Sequence, residues 1–530
     1  MGSGLESEGQ SKSLPLLRGT ITLESALADD DDILLKLSYP EQRIDFFTYL
    51  YSRRHEIENI VAYHLGLRAV ECKVGEVKEW IAGSFNVCLP VYIDKHAAYP
   101  RRRVMIRFPL PYKIGESRFP GNADEKVRCE AATFIWLQER CPNTVPIPQL
   151  WGFGFPNGQS FTIPENMHIL TRLVSWLHRT ALTLFGQHTP SNYIGHTCPN
   201  KLGLGYLVMD YVEGSDGTML SESWGSLFHD PVRRANLFGD LAQILLAMSQ
   251  FPLPRIGSLT IDDRGLISLT NRPLTLQIQQ LENEGIHTGI PRNGTYSSSE
   301  TYILDSIRCH DNRLRGKANS IRDEYDGRAQ MAASAAMRAL CPHFLKLDRR
   351  HRHFMFTLTD IHQSNIFVDA DWHIKCIVDL EWACSLPVEM LHPPTWLTNR
   401  AIDLLEAGEH LEAYTRAQKE FLDIFEEKER LFPAINEKTS YRTDIMRANW
   451  QTGGFWYFQA LATYKGFYNL YIQHLQPRLG ITPDRLGMFD ELVAPYWAPD
   501  ATEVLATKIR DKEAYDKQLR HIFAGEDGDA

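Results

Sequence analysis

The sequence predicts an α+β protein of two lobes, a small lobe built on an antiparallel sheet and a larger lobe that is mostly helical. Two patterns support this prediction. From Cys72 onward, short apolar runs separated by turn residues are typical of antiparallel strands. After Gly214, apolar residues recur at helical spacing, as in Arg233–Ser249. A chain of 530 residues is long enough for one large bilobal molecule with insertions.

Changes in composition along the chain predict its division into segments. A Gly/Ser-rich start predicts a disordered tail over residues 1–18, followed by a helical extension over 19–71. We expect the small lobe over 72–212, with an insertion at about 157–204. The larger lobe then covers 213–525, and residues 526–530 form an acidic tail.

Bulk properties limit the function classes. A net charge of −10 argues against nucleic acid as a partner, because nucleic-acid binders carry a basic face. The nine cysteines show no C-x-x-C pair, which favours reduced thiols. The sequence has neither an uninterrupted apolar stretch of membrane-spanning length nor a secretory h-region. We therefore expect a cytoplasmic protein without a membrane partner, and no protein partner is indicated.

The most informative stretch runs from Phe356 to Ala383. Apolar runs at Phe354–Leu358 and Ile366–Val368 predict buried strands around a polar turn. Asp360 lies in that turn, Asn365 follows five positions later, and Asp379 ends the next apolar run. This set suits phosphoryl transfer, in which one carboxylate takes the acceptor proton while an amide oxygen and a second carboxylate hold magnesium.

Each of these side chains also has a purely structural interpretation. Asp360 could form a turn, Asn365 could cap a local backbone group, and Asp379 could be an ordinary acid at a strand end. The combination of Asp-x-x-x-x-Asn with a strand that ends in Asp favours the chemical interpretation.

The sequence of this stretch resembles that of the aminoglycoside phosphotransferase-like kinases, and their fungal branch in particular. The residues that carry the resemblance are L-T-D-x-H-x-S-N-I-F-V-D followed by D-L-E-W-A. The resemblance covers roughly Lys73 to Glu429 and implies the protein-kinase fold, with ATP and Mg²⁺ as cofactors. It also implies that Asp360 is the catalytic base and that Asn365 and Asp379 are metal ligands. Relatives act on aminoglycosides, choline, sugars and amino-acid derivatives, so the resemblance does not select a substrate.

A turn in the small lobe is a candidate for nucleotide binding. It consists of Gly83, Ser84, Phe85 and Asn86, between two predicted strands. Glycine in such a turn lets backbone amides approach phosphate oxygens closely. Most turns of this kind only reverse a hairpin, and the position before the next strand favours the binding role.

The resemblance assigns the phosphate-gripping cation to the strand Arg103–Phe108. The matching position holds Arg107 instead of the common lysine, and arginine can bind phosphate through two parallel hydrogen bonds. Glu130, on a predicted helix over Glu125–Arg140, matches the glutamate that pairs with this cation. Glu125 is a weaker alternative, and Arg107 could also be a surface residue on an edge strand.

Adenine binding is expected at the hinge between the lobes. The run Tyr206–Gly214 predicts a strand that leads into the hinge, where backbone groups of Met209, Asp210 and Tyr211 would bind the adenine edge.

The sequence thus predicts an ATP-dependent phosphotransferase that acts on a hydroxyl of a small molecule. A protein kinase is disfavoured, because only a short segment separates Asp379 from Pro387 and the Asp-Phe-Gly turn is absent. The alternative is a pseudokinase that acts as a nucleotide-binding or interaction scaffold. Two departures from the broader family support it, Leu358 in place of a histidine and Arg107 in place of lysine.

Overall fold

The structure is a computed structural model, which describes residues 12–94, 103–197, 201–345, 354–432 and 442–525. Its architecture confirms the predicted fold class, because an antiparallel sheet forms the small lobe and helices dominate the larger lobe.

The chain begins with an extension that packs against its other end. Strand β1 pairs with β2 in an antiparallel hairpin, so this part of the predicted disordered tail is an ordered strand. The reason is apolar burial, since Leu14 packs in a cluster with Ile21 and Leu519. Residues 1–11 and the predicted acidic tail lie outside the described residues. The elements of the extension are β1 (Ser13–Pro15), β2 (Thr20–Thr22), α1 (Leu23–Ala28), α2 (Ile33–Ser52) and α3 (Arg54–Leu65).

Helix α2 starts at a well-formed cap. The Asp32 carboxylate accepts a hydrogen bond from the Leu35 N–H at 3.1 Å, which satisfies an otherwise unpaired donor of the first turn. The Ile33 N–H donates to the hydroxyl of Tyr515 at 2.7 Å. The start of α2 is therefore fixed against the C-terminal helix of the chain.

The small lobe is an antiparallel sheet of eight strands within the described residues, in the order β3-β5-β6-β10-β7-β8-β9, with β4 paired to β5. Arg107 lies on β6, opposite Cys88 on β5 and Leu207 on β10. Helix α4 packs against the sheet and is buried along most of its length. The elements of this lobe are β3 (Cys72–Val74), β4 (Ile81–Ala82), β5 (Asn86–Ile93), β6 (Arg103–Pro109), α4 (Asn122–Arg140), β7 (Leu150–Gly154), β8 (Gln159–Thr162), α5 (Ile169–Leu184), β9 (Ile194–Thr197) and β10 (Tyr206–Asp210).

Helix α5 occupies the predicted insertion and buries none of its residues, so its apolar side chains face solvent. Among the described residues, no helix combines the length and the hydropathy that crossing a membrane requires.

The larger lobe surrounds two small sheets with helices. Strands β15 and β16 pair next to β11, and β14 pairs with β17, so the loop that contains Asp360 connects two different sheets. One large apolar cluster extends from α4 through this lobe. The strands are β11 (Thr218–Met219), β12 (Ser258–Ile261), β13 (Ile267–Asn271), β14 (Met355–Leu358), β15 (Ile366–Val368), β16 (Ile374–Ile377) and β17 (Ala383–Leu386). The helices are α6 (Leu220–Leu227), α7 (Pro231–Ser249), α8 (Leu276–Asn283), α9 (Ser299–Gly316), α10 (Glu324–Phe344), α11 (Glu409–Leu431), α12 (Arg442–Thr452), α13 (Gly454–Ala462), α14 (Phe467–Leu470), α15 (Leu486–Val493) and α16 (Ala501–Ala524).

Candidate active site

Asp360 lies on the loop between β14 and β15, and hydrogen bonds fix this loop on both sides. The Thr359 hydroxyl donates to the carbonyl oxygen of Trp382 at 2.6 Å. The Asn365 side-chain amide donates to the main-chain oxygen of Asp360 at 2.9 Å. His362 supports the loop as well, because its Nδ1 accepts the Ser364 N–H at 3.2 Å. These bonds fix the main chain of the loop, and the Asp360 side chain that projects from it is half-buried.

The electrostatic surroundings make Asp360 an unusually weak acid. Burial, together with the nearby charges of Asp379 and Glu381, raises its pKa to about 7. A carboxylate with a pKa near neutrality is suited to accept a proton from a substrate hydroxyl.

Asp379 follows β16 in a left-handed backbone conformation, with φ at +66°. Such a conformation is uncommon for a residue other than glycine and requires support from the surrounding structure. The Val378 N–H provides part of it by donating to the Asn365 carbonyl oxygen at 2.9 Å. The two predicted metal ligands, Asn365 and Asp379, therefore lie on directly hydrogen-bonded segments.

Arg107 is the centre of a buried ionic cluster. Its Nη1 donates to Glu130 Oε1 at 2.7 Å, and its Nη2 donates to Glu381 Oε2 at 2.7 Å and also to Asp379. Burial alone would lower the pKa of Arg107, but the three carboxylates hold it well above its usual value. The structure thus contains the predicted Arg107–Glu130 pair and excludes a surface position for Arg107.

Lys126 completes this cluster, and sequence reasoning missed it. The side chain is fully buried, and its ammonium group donates to Glu381 and to the Asn86 side-chain oxygen. Glu381 also accepts a hydrogen bond from the Asn86 amide at 2.5 Å. The available signal was position, because Lys126 precedes Glu130 by four residues and four-residue spacing places side chains on one helix face.

The candidate phosphate turn divides into two parts. Gly83 and Ser84 are exposed at its tip, where the Gly83 N–H donates to the Asn86 carbonyl oxygen at 2.8 Å. Phe85 packs edge-on against Trp382, with ring centroids 5.2 Å apart. The turn therefore contacts Trp382 of the larger lobe through Phe85 and the ionic cluster through Asn86.

The predicted hinge lies beside the strand that carries Arg107. Met209 pairs with Met105 on β6, and the Asp210 N–H donates to the Gln149 carbonyl oxygen at 3.0 Å. The Arg103 guanidinium stacks over the Tyr211 ring at 3.8 Å. The contact between this segment and adenine stays a prediction.

Glu130, Asp379 and Glu381 form a group with the chemistry of a metal site, since one carboxylate oxygen from each lies within 4.8 Å of the others. The group has three carboxylates and two cations, Arg107 and Lys126. In addition, Glu381 Oε1 and Arg107 Nε have no hydrogen-bond partner among the described residues. A surplus of carboxylates over cations and the unpaired buried oxygen Glu381 Oε1 fit a hard divalent cation, and the group shares Asp379 with the predicted ligand set.

Comparison with known proteins gives the class and then the family. The family match makes the two-lobed chain a phosphotransferase of the kinase-like fold. The model of the phosphotransferase enzyme family, APH, matches residues 113–389, just over half of the chain, including Glu130, Asp360, Asn365 and Asp379. The chain belongs to this family.

Among solved structures, the chain is similar to a thermostable mutant of aminoglycoside phosphotransferase APH(4)-Ia, crystallised as a ternary complex with AMP-PNP and hygromycin B. The identity is 9%, the TM-score is 0.31, and the match covers 86% of this chain and 95% of the other. No curated protein matches the sequence significantly.

Proposed function

We propose that the protein is an ATP-dependent kinase that transfers a phosphoryl group to a hydroxyl of a small molecule. The observation that carries this proposal is the convergence of Asp360, whose pKa is raised to about 7, with the ionic cluster of Arg107, Glu130 and Asp379. A proton acceptor and a phosphate-binding cation are the two groups that phosphoryl transfer to an alcohol requires.

Asp360 is the proposed base. Its carboxylate orients the acceptor hydroxyl and takes its proton as the oxygen attacks phosphorus. The half-buried position of Asp360 limits competition from water, and the two bonds that hold the loop fix the main chain from which the carboxylate projects.

Asn365 and Asp379 are the residues that would hold Mg²⁺, and the unpaired oxygen of Glu381 makes it a candidate to support them. When bound, the ion neutralises charge on the nucleotide phosphates. Arg107, oriented by Glu130, is the proposed partner of the phosphates beneath the Gly83–Asn86 turn. In the described state Arg107 contacts Asp379, so nucleotide binding is expected to separate this pair.

The decisive experiment replaces the proposed base. Asp360→Asn should keep the fold and Mg–ATP binding but lower acceptor-dependent ADP formation by about 10²–10⁴-fold, the usual contribution of general-base assistance. Asp371→Asn is the matched control, because Asp371 is an exposed carboxylate on the turn after β15. Undiminished transfer by Asp360→Asn, on any accepted hydroxyl compound, contradicts the role assigned to Asp360.

The second candidate is a scaffold without transfer activity. The Arg107–Asp379 contact favours it, because the Arg107 guanidinium is paired with a carboxylate that is a proposed metal ligand. Thermal unfolding with ATP, in the presence and absence of Mg²⁺, separates the two. A kinase should be stabilised more by Mg–ATP than by ATP alone, whereas a scaffold closed by Arg107 should show no effect of Mg²⁺.

A further inference from the structure

A cavity of about 600 Å³ lies next to the candidate base. Thr359 and Ile361, the two neighbours of Asp360 in the chain, both line it. A molecule in this cavity can therefore present a hydroxyl to the Asp360 loop. The size is within the range of cavities that bind small organic ligands.

The wall of the cavity is mainly apolar. Helices α7, α8 and α13 contribute to one side, and α2 of the N-terminal extension contributes Leu35 and Tyr39 on another. A ligand that fills this space gains most of its binding free energy from burial of apolar surface. Apolar lining residues include Leu241, Leu245, Leu276, Ile361, Met390 and Phe458.

The carboxylates that line the cavity are already engaged. Asp31 pairs with Lys36 and Lys465, and these lysines lower its pKa to about 2 although burial opposes the shift. Glu284 accepts hydrogen bonds from Lys317, at 3.0 Å, and from the Tyr464 hydroxyl.

The remaining lining carboxylate, Asp32, caps the first turn of α2. A polycationic ligand would have to displace these partners, each of which is supplied by the protein itself.

Lys113 differs from the other lysines of the wall. Its ammonium group lies over the Tyr39 ring, 4.2 Å from the centroid, and it forms no ion pair with any described residue. Burial, together with the charge of Lys36, lowers its pKa to about 8, and the charge of Asp31, which forms no ion pair with Lys113, opposes this shift only in part. An anionic group of a ligand would compensate the cost of burying the Lys113 charge.

On the basis of the proposed function, we infer that the phosphate acceptor is a mainly apolar alcohol that carries one anionic group, which Lys113 binds at the α2 side of the cavity. The apolar wall, the engaged carboxylates and the unpaired Lys113 each favour this class. They disfavour a polycationic aminosugar, which needs free carboxylates.

Binding of two hydroxy acids of different shape tests the inference without any need for transfer. The probes are ω-hydroxydodecanoate and lithocholate, each compared with its own methyl ester by calorimetry on the full-length protein. We expect at least one acid to bind about 10–100-fold more tightly than its ester, as one charged hydrogen bond contributes. Lys113→Met should abolish this preference, and Lys113→Arg should retain part of it.

Lys36→Met is the matched control, because Lys36 also lines the cavity but is paired with Asp31. This variant should keep the preference for the acid. Equal affinities of acid and ester, binding of neither acid, or a preference that persists in Lys113→Met overturns the inference. Tight binding of hygromycin B in the same cavity overturns it as well.

The outcomes also separate this inference from the proposed kinase activity. If an acid binds through Lys113 but is never phosphorylated with Mg–ATP, the binding inference stands and the kinase proposal fails for that acceptor class. If neutral or polycationic alcohols are phosphorylated while the acids do not bind, the kinase proposal stands and the acceptor class is wrong.

Discussion

Helix α4 contributes to two buried ionic clusters, and their comparison shows what distinguishes a structural cluster from a functional one. Glu125 belongs to the first and Glu130, five residues later, to the second. Both glutamates are at least 95% buried and both pair with a buried arginine. Neither burial nor an ion pair therefore identifies the site.

The first cluster, around Arg272, is complete. Arg272 donates to both oxygens of Glu125 and to both oxygens of Glu282, at 2.5–2.9 Å. Arg292 adds a second cation to Glu125, so two positive charges balance two negative ones. The Asn122 amide donates to the same Glu282 oxygen as Arg272 Nη2. Every side-chain nitrogen of Arg272 and every carboxylate oxygen of the two glutamates thus has a partner.

The second cluster, around Arg107, is incomplete. It has one carboxylate more than it has cations, and Glu381 Oε1 and Arg107 Nε lack partners among the described residues. Burial and the charges of Glu381 and Asp379 raise the pKa of Glu130 to about 7, against the opposing charges of Arg107 and Lys126. Unbalanced charge and unpaired atoms indicate capacity for a ligand, which the Arg272 cluster does not have.

The largest expected difference between the clusters concerns stability. Arg272→Met leaves two buried glutamates with only the partly exposed Arg292, and should lower the free energy of unfolding by about 3–5 kcal/mol. Arg107→Met should cost less, because Asp379 is partly exposed. Urea unfolding at neutral pH measures both effects.

Addition of Mg²⁺ makes this comparison sharper. The cation should restore stability to Arg107→Met, where three carboxylates remain together, and should not do so for Arg272→Met. A larger Mg²⁺ effect on Arg272→Met would mean that the ligand-binding cluster has been assigned to the wrong part of α4.

A coupling of intermediate size is expected between Arg107 and Glu130. Removal of the Arg107 side chain should weaken the binding of ATP more than the binding of adenosine, because only ATP carries the phosphates. Glu130→Gln should cause a smaller loss of ATP affinity. The double variant should lose less binding free energy than the sum of the losses in the two single variants. Residues in contact typically show interaction energies of up to about 3 kcal/mol. ATP and adenosine affinities of the four proteins measure this coupling.

Glu125→Gln is the control for this cycle. Glu125 lies on the same helix as Glu130 but has no contact with Arg107. The effect of Glu125→Gln on ATP affinity should therefore add to that of the Arg107 variant within about 0.5 kcal/mol. Coupling of Arg107 with Glu125 as strong as with Glu130 would remove the distinction between the two clusters.

Sequence patterns predicted the fold and the Asp360 loop because both depend on local order along the chain. Strand runs, helical spacing and the Asp-x-x-x-x-Asn pattern are short-range features. The choice between Glu125 and Glu130 required the family resemblance, because both lie on a helix whose every face is largely buried.

Other parts of the site depend on long-range packing and could not be predicted. A fully buried lysine is rare, and this general expectation outweighs the four-residue spacing that places Lys126 on the same helix face as Glu130. Glu381 matched the family pattern, but its three partners come from β5, β6 and α4. The cavity likewise needs α2 to come together around one space with α8 and α13, which are far away in the chain.

The smallest predicted effect is a pH dependence of the free energy of unfolding, which arises from Asp360 beside the Arg107 cluster. The pKa of Asp360 is about 7 in the folded protein and near 4 in an unfolded chain. Because the folded state holds this proton more tightly, the contribution of Asp360 is most favourable below pH 4 and is lost as pH rises through 7. Asp360→Asn removes this loss.

The variant should therefore gain stability relative to the parent as pH rises from 5 to 8. We expect a gain of about 1–2 kcal/mol, because the side chain is one quarter exposed and solvent screens part of the effect. Urea unfolding at pH 5 and pH 8 measures it, with Asp371→Asn as the exposed control. A stability difference between Asp360→Asn and the parent that is the same at both pH values would mean that Asp360 is ionised throughout. The carboxylates of the neighbouring cluster would then have no effect on the pKa of Asp360, the proposed proton acceptor.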